Sequence, residues 1–108
     1  MWGAKVDREI YQDSFVRNQA KKNYREAFRS GYKGVEQDLK LYTTDWGFKV
    51  KDIKVPILLW YGEDDKNVTL AMGKYYQSQI KNSKLKIYSG EGHLISRTHI
   101  EEILKTLI

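Results

Sequence analysis

Two short polar turns carry the residue types that acid–base chemistry needs. GEDD occupies residues 62–65 and SGEGH residues 89–93, and each follows an apolar run, ILLWY and LKIY. A carboxylate hydrogen-bonded to an imidazole fixes the ring tautomer and stabilises the imidazolium that forms when histidine takes a proton from a nucleophile. Asp65 and His93, 28 positions apart, are the candidate acid and base. On residue types alone, an aspartate in an acidic turn and a histidine in a glycine loop are more often solvated loop residues, and that alternative stays open at this level.

The elements that must position such a pair follow from periodicity. From Ser14 to Phe28, apolar residues at Val16, Ala20, Tyr24, Ala27 and Phe28 recur at helical spacing, and Gly31 stands where a helix would stop. A shorter helix is predicted from Val35 to Tyr42, before the turn-like TTDWGF. The second half changes period. The single proline, Pro56, opens ILLWY, which is apolar without alternation and ends at Gly62, the pattern of a strand covered on both faces. Thr69 can cap a helix running to about Ile80, and LKIYS is a second strand. Thr98, with Glu101 three residues on, suggests a capping box for a last helix whose buried stripe is Ile100, Ile103, Leu104 and Leu107. Strand, helix, strand, helix predicts two parallel strands joined by a right-handed crossover. Such strands end at one edge of their sheet, the edge where open α/β folds bind ligands, so Asp65 and His93 would meet there.

Composition bounds what the pair could belong to. The chain has 108 residues, the size of one ordinary domain, and is 41% hydrophobic, so it can form a core. No apolar stretch approaches the ~20 residues of a membrane span. The first residues, MWGAKVDREIYQD, carry charge where a signal peptide would be apolar, which predicts a soluble cytoplasmic protein with no membrane partner. There is no cysteine and there are two histidines, so neither a thiolate nor a histidine-rich metal site is expected, and no cofactor is predicted. Nineteen Lys and Arg against fourteen Asp and Glu leave a net charge of +5. Residues 1–54 hold +4 of it and residues 55–108 hold +1, and the basic residues are interleaved with acids. Solvated helix faces account for that pattern better than a nucleic-acid surface does.

The stretch DWGFKVKDIKVPILLWYGEDDKNVTLAMGKYYQSQIKNSKLKIYSGEGHL resembles the C-terminal part of an α/β-hydrolase. The matching pattern is a tryptophan-containing loop, V-P opening the penultimate strand, G-x-x-D after it, a helix, the last strand, and G-x-G-H. REAFRSGYKGVEQDLKLY is similar to the helical cap and return segment of several family members. The resemblance implies an α/β fold: an incomplete hydrolase core of two parallel strands with a crossover and flanking helices over residues 46–108, preceded by a helical cap-like segment over residues 1–45. It further implies that Asp65 is the triad acid, with Asp64 the rejected neighbour, and that His93 is the general base and acid. His99 matches no catalytic position and reads as a partly exposed helix-terminal residue. Thr69 stands where the family often has proline.

The nucleophile is what the pattern lacks. None of the six serines (Ser14, Ser30, Ser78, Ser83, Ser89, Ser96) lies in a G-x-S-x-G elbow. The expectation is therefore a C-terminal fragment of an α/β-fold serine hydrolase for ester, amide or related acyl bonds, inactive alone. A missing N-terminal half is its implied partner. The alternative is a stand-alone remnant with a binding or assembly role. Two strands would leave an unpaired edge and apolar sheet faces, which predicts a homo-oligomer, most simply a dimer.

Overall fold

The computed structural model describes residues 3–108, which form six helices and a two-stranded parallel sheet. In chain order these are α1 (Lys5–Ile10), α2 (Ser14–Ala27), α3 (Lys33–Thr43), β1 (Ile57–Gly62), α4 (Leu70–Gln79), β2 (Ser83–Tyr88), α5 (Ile95–Thr98) and α6 (Ile100–Lys105), with a single 3₁₀ turn at Val50–Asp52 before β1. Two compact units divide the chain: residues 10–49, and residues 3–9 together with 50–108.

The unit of residues 10–49 is helical, as its periodicity requires. Asp13 caps α2, its Oδ1 accepting the amides of Phe15 at 2.7 Å and Val16 at 3.2 Å. That satisfies two of the donors a helix start leaves unpaired. The helix ends at Ala27, with Tyr24 and Phe28 stacked at 6.5 Å along one side. Gly31, at φ 89°, turns the chain into α3 in the left-handed region that glycine enters most easily. Within α3 Lys40 pairs with Glu36 at 2.8 Å, and beyond its end Trp46 Nε1 donates to the Leu41 carbonyl at 2.7 Å.

The second unit holds the sheet. β1 and β2 pair in parallel register from Ile57↔Ser83 to Gly62↔Tyr88. Pro56 lacks an amide to pair, so pairing starts at Ile57, whose N–H donates to the Asn82 carbonyl at 2.9 Å. The crossover helix α4 has a glycine in mid-helix, where the helix-forming tendency of alanine is forfeited. The reason is steric: a Cβ on Gly73 would lie 2.9 Å from the Tyr61 ring of β1. Trp60 and Tyr88 stack at 5.9 Å, and Lys86 lies 5.1 Å from the centre of each ring. Lys86 also pairs with Glu102, tying β2 to α6. The hydrogen bond between them raises the lysine pKa above its ordinary value and lowers that of the carboxyl.

Four local expectations fail. Thr98 does not form a capping box with Glu101. Its hydroxyl turns instead to Glu91 at 3.1 Å and to the Ile95 carbonyl at 3.3 Å, and the helical run breaks at His99 into α5 and α6. The proposed apolar stripe of the last helix is not buried: Ile100 and Leu104 are exposed and Leu107 is 73% exposed. β1 is not covered on both faces either, since Leu58 is 41% exposed. A run of apolar residues specifies burial against something, and two strands with their helices do not offer enough surface to cover it. Thr69 occupies the position before α4 with extended backbone, but its side chain makes no capping hydrogen bond.

The Gly73 contact generates a paired expectation. Gly73→Ala forces a methyl into the Tyr61 ring, and overpacking of about 1–3 kcal/mol outweighs the roughly 1 kcal/mol gained in helix propensity. Gly34→Ala in α3, where a Cβ meets nothing within 4 Å, keeps the helix gain. Urea unfolding followed by circular dichroism should show a lowered midpoint for the first variant and an unchanged or raised one for the second.

Candidate active site

β1 and β2 end side by side, and the turns that follow them are laced together. The Glu63 amide donates to the Tyr88 carbonyl and the Asp64 amide to the Glu91 carbonyl, both at 2.9 Å, continuing the ladder past the strands. Ser89 Oγ donates to Glu63 Oε2 at 2.7 Å. The turns approach so closely that a Cβ on Gly62 would lie 2.6 Å from the Glu91 carbonyl carbon. Glycine at position 62 is therefore a requirement of space, since its φ is not in the left-handed region.

This lacing brings Asp65 to His93. Asp65 Oδ2 lies 3.0 Å from His93 Nδ1. The other oxygen, Oδ1, accepts the amides of Asn67 at 2.8 Å and Val68 at 2.9 Å, a local turn that holds the carboxylate in one orientation. The Asp65 side chain is 6% exposed and that of His93 is 43% exposed. An ionised carboxylate can only accept, so Nδ1 donates to it, and in the neutral ring Nε2 then keeps its lone pair. Among the described residues nothing is hydrogen-bonded to Nε2. Asp64, one residue earlier, is exposed and takes part through its backbone amide. Tyr61 stands nearby, its phenol pushed above the usual value by burial first and then by Tyr76 and the charge of Asp65.

His99 is placed apart from this pair, in a cluster of its own. Its Nε2 is 3.0 Å from Glu91 Oε1, its Nδ1 is 3.6 Å from Glu102 Oε2, and its ring lies 4.1 Å from that of Tyr88. Three of the serines are engaged with other groups. Ser78 and Ser83 donate to the carbonyls of Tyr75 and Ile80, and Ser89 is engaged with Glu63. No group of three or more His, Cys, Asp or Glu able to hold a metal occurs among the described residues, and no helix there is long and apolar enough to cross a membrane.

One residue at the site has no counterpart in the sequence reading. Asp7 of α1 is 5% exposed, and its two carboxylate oxygens accept the amides of His93 at 3.0 Å and Leu94 at 2.9 Å. Nothing local to DREI announces this, because the partner lies 86 positions away. The one trace is the second glycine of GEGH: a Cβ on Gly92 would lie 2.6 Å from Asp7 Cγ.

No family model matches the chain. It is similar to the bifunctional esterase/perhydrolase DCH of Acinetobacter calcoaceticus, with 39% identity over 66 residues, 60% of this chain and 24% of that protein. The likeness covers about a quarter of the relative's length and supports a relationship to hydrolases.

The pair makes a direct prediction. In Asp65→Asn the amide group would donate to Nδ1, so the proton should move to Nε2; nitrogen-15 NMR of the ring reads that tautomer. Asp64→Asn should leave the ring as in the parent chain. The same tautomer in all three proteins would mean that Asp65 does not orient His93.

Proposed function

We propose that Asp65 and His93 are the acid and base of an acyl-hydrolase site, acting on an ester, amide or related acyl bond. The observation that carries this is the 3.0 Å contact between Asp65 Oδ2 and His93 Nδ1, with the second carboxylate oxygen anchored by two backbone amides. In that arrangement His93 Nε2 takes the proton of an attacking hydroxyl, Asp65 stabilises the imidazolium, and the same proton then passes to the leaving group. The partial similarity to an esterase/perhydrolase supports the same class of reaction. The chain holds no G-x-S-x-G elbow, so the nucleophile and its oxyanion-binding amides come from protein outside these 108 residues, in the form of a complementary hydrolase segment.

Two measurements test this reading. Because loss of the nucleophile costs a triad enzyme roughly a millionfold in turnover, the chain alone should hydrolyse p-nitrophenyl acetate no faster than His93→Ala does, and should take no fluorophosphonate label. Put in place of the segment it matches in the Acinetobacter esterase/perhydrolase, the chain should sustain ester hydrolysis that vanishes with His93→Ala. His93-dependent turnover by the chain alone, with a labelled serine, would place the nucleophile within it. A soluble, folded chimera without activity would count against the acyl-hydrolase reading itself.

The second reading is assembly, favoured by the outer edge of β1, which no other strand pairs among the described residues, and by exposed apolar side chains on both strands, Leu58 and Ile87 among them. A free edge presents unpaired amides and carbonyls, and a second copy of the chain can pair with them about a two-fold axis. Sedimentation equilibrium should then give a dimer mass, and Leu58→Lys should shift it toward the monomer. A monomer at every concentration would remove this reading.

A further inference from the structure

Asp7 is a buried carboxylate that the acid–base chemistry does not use, and it meets the chain at the residue the chemistry does use. Its Oδ2 accepts the His93 amide at 3.0 Å and its Oδ1 the Leu94 amide at 2.9 Å. The carboxylate lies flat against Gly92, where any Cβ would collide with it. α1 is itself fastened, Arg8 reaching back to the Gly3 carbonyl at 2.7 Å. The 89–94 loop has other ties: Ser89 and the Glu91 carbonyl to the turn after β1, the Glu91 side chain to Thr98 and His99, the His93 ring to Asp65, and the Leu94 carbonyl to the amides of Arg97 and Thr98. None of those holds the backbone amide of His93 or Leu94.

We propose that Asp7 is a positioning residue for His93: its carboxylate clamps the His93 and Leu94 amides and so sets the imidazole against Asp65. The inference rests on reading Asp65 and His93 as the acid–base pair, but it concerns where the ring is held and not which bond is cleaved. Two charge-assisted hydrogen bonds, one to the amide on each side of the His93 Cα, fix the two peptide planes that flank it and so the position from which the side chain extends. A hydrogen bond of 3.0 Å between Asp65 and His93 tolerates little displacement of that Cα. Gly92 is then explained by Asp7: the loop gives up a side chain so that a carboxylate can reach the backbone.

The test uses the intact chain, with Asp7→Asn, Asp7→Ala and Gly92→Ala. Asparagine keeps the volume but offers one acceptor and sets an NH₂ against the other amide. Amide exchange at His93 and Leu94 should speed up by about 10- to 100-fold in both Asp7 variants, the loss expected for hydrogen bonds to a charged group. Exchange of the Leu59 and Trp60 amides in the sheet should stay within about threefold of the parent. The Nδ1-protonated tautomer of His93 should give way to a mixture. Gly92→Ala should mimic Asp7→Asn. Formate, entering the space left in Asp7→Ala, should restore both the protection and the tautomer, and chloride should not. Unchanged protection and tautomer in the Asp7 variants would overturn the proposal. So would parallel loss of protection at Leu59 and Trp60, which would make Asp7 a stability residue only. Ester hydrolysis is not among these readouts, so an acyl-hydrolase reading that failed would leave this result standing.

Discussion

The site depends on two stretches of backbone and one carboxylate lying closer together than an intervening side chain allows. Gly62 at the end of β1 meets the Glu91 and Gly92 carbonyls, and Gly92 in turn lies beneath the Asp7 carboxylate. Replace either hydrogen by a methyl and the layers must separate. The 3.0 Å contact between Asp65 and His93 is a result of this stacking, because it is the turns that are held and the side chains are carried with them. The parallel register adds the other half of the constraint. Gly62 pairs with Tyr88, so the two turns start level with one another and neither has to stretch to meet its partner.

Energetically the strand-bearing unit relies more on its polar ties than on its core. Its buried apolar side chains are few, Ala4, Ile80 and Ile95, and no side chain among the described residues is fully buried. Around the site, by contrast, two carboxylates accept four backbone amides, Asp65 those of Asn67 and Val68 and Asp7 those of His93 and Leu94. A buried amide left without an acceptor costs about 1–3 kcal/mol, so each of these bonds is expensive to lose even where its net gain is small. The surface pair of Lys86 and Glu102 contributes far less by the same reasoning, both groups being well exposed.

What the sequence discloses and what it hides divide along the range of the interactions. Helices α2 and α3, strands β1 and β2 and crossover α4 lie within a few residues of their expected limits, because periodicity, Pro56 and the glycines act locally. The proximity of Asp65 and His93 was legible for the same reason: one crossover brings consecutive parallel strands to a common edge. The failures needed distant information. Thr98 reads as a cap until Glu91 is seen to claim its hydroxyl, and the stripe from Ile100 to Leu107 reads as buried until the surface available to cover it is known. α1 is too short to show a period, and its carboxylate reads as one more solvated acid in a charged helix. In GEGH, the second glycine reads as a flexible turn although its φ is ordinary; what it records is a neighbour 85 positions upstream.

The span between Asp7 and His93 also orders events in time. The Asp65–His93 contact closes a loop of 28 residues, most of it occupied by α4 and β2, while the Asp7 clamp closes one of 86. Loop-closure entropy makes the longer one costlier by about 1 kcal/mol, and it yields nothing until the 89–94 turn already exists to receive it. A chain emerging from the ribosome presents α1 well before the turn that needs it. The shorter loop can thus close on the Asp65–His93 contact at lower entropic cost, and the imidazole is seated only when α1 and the 89–94 turn have found each other.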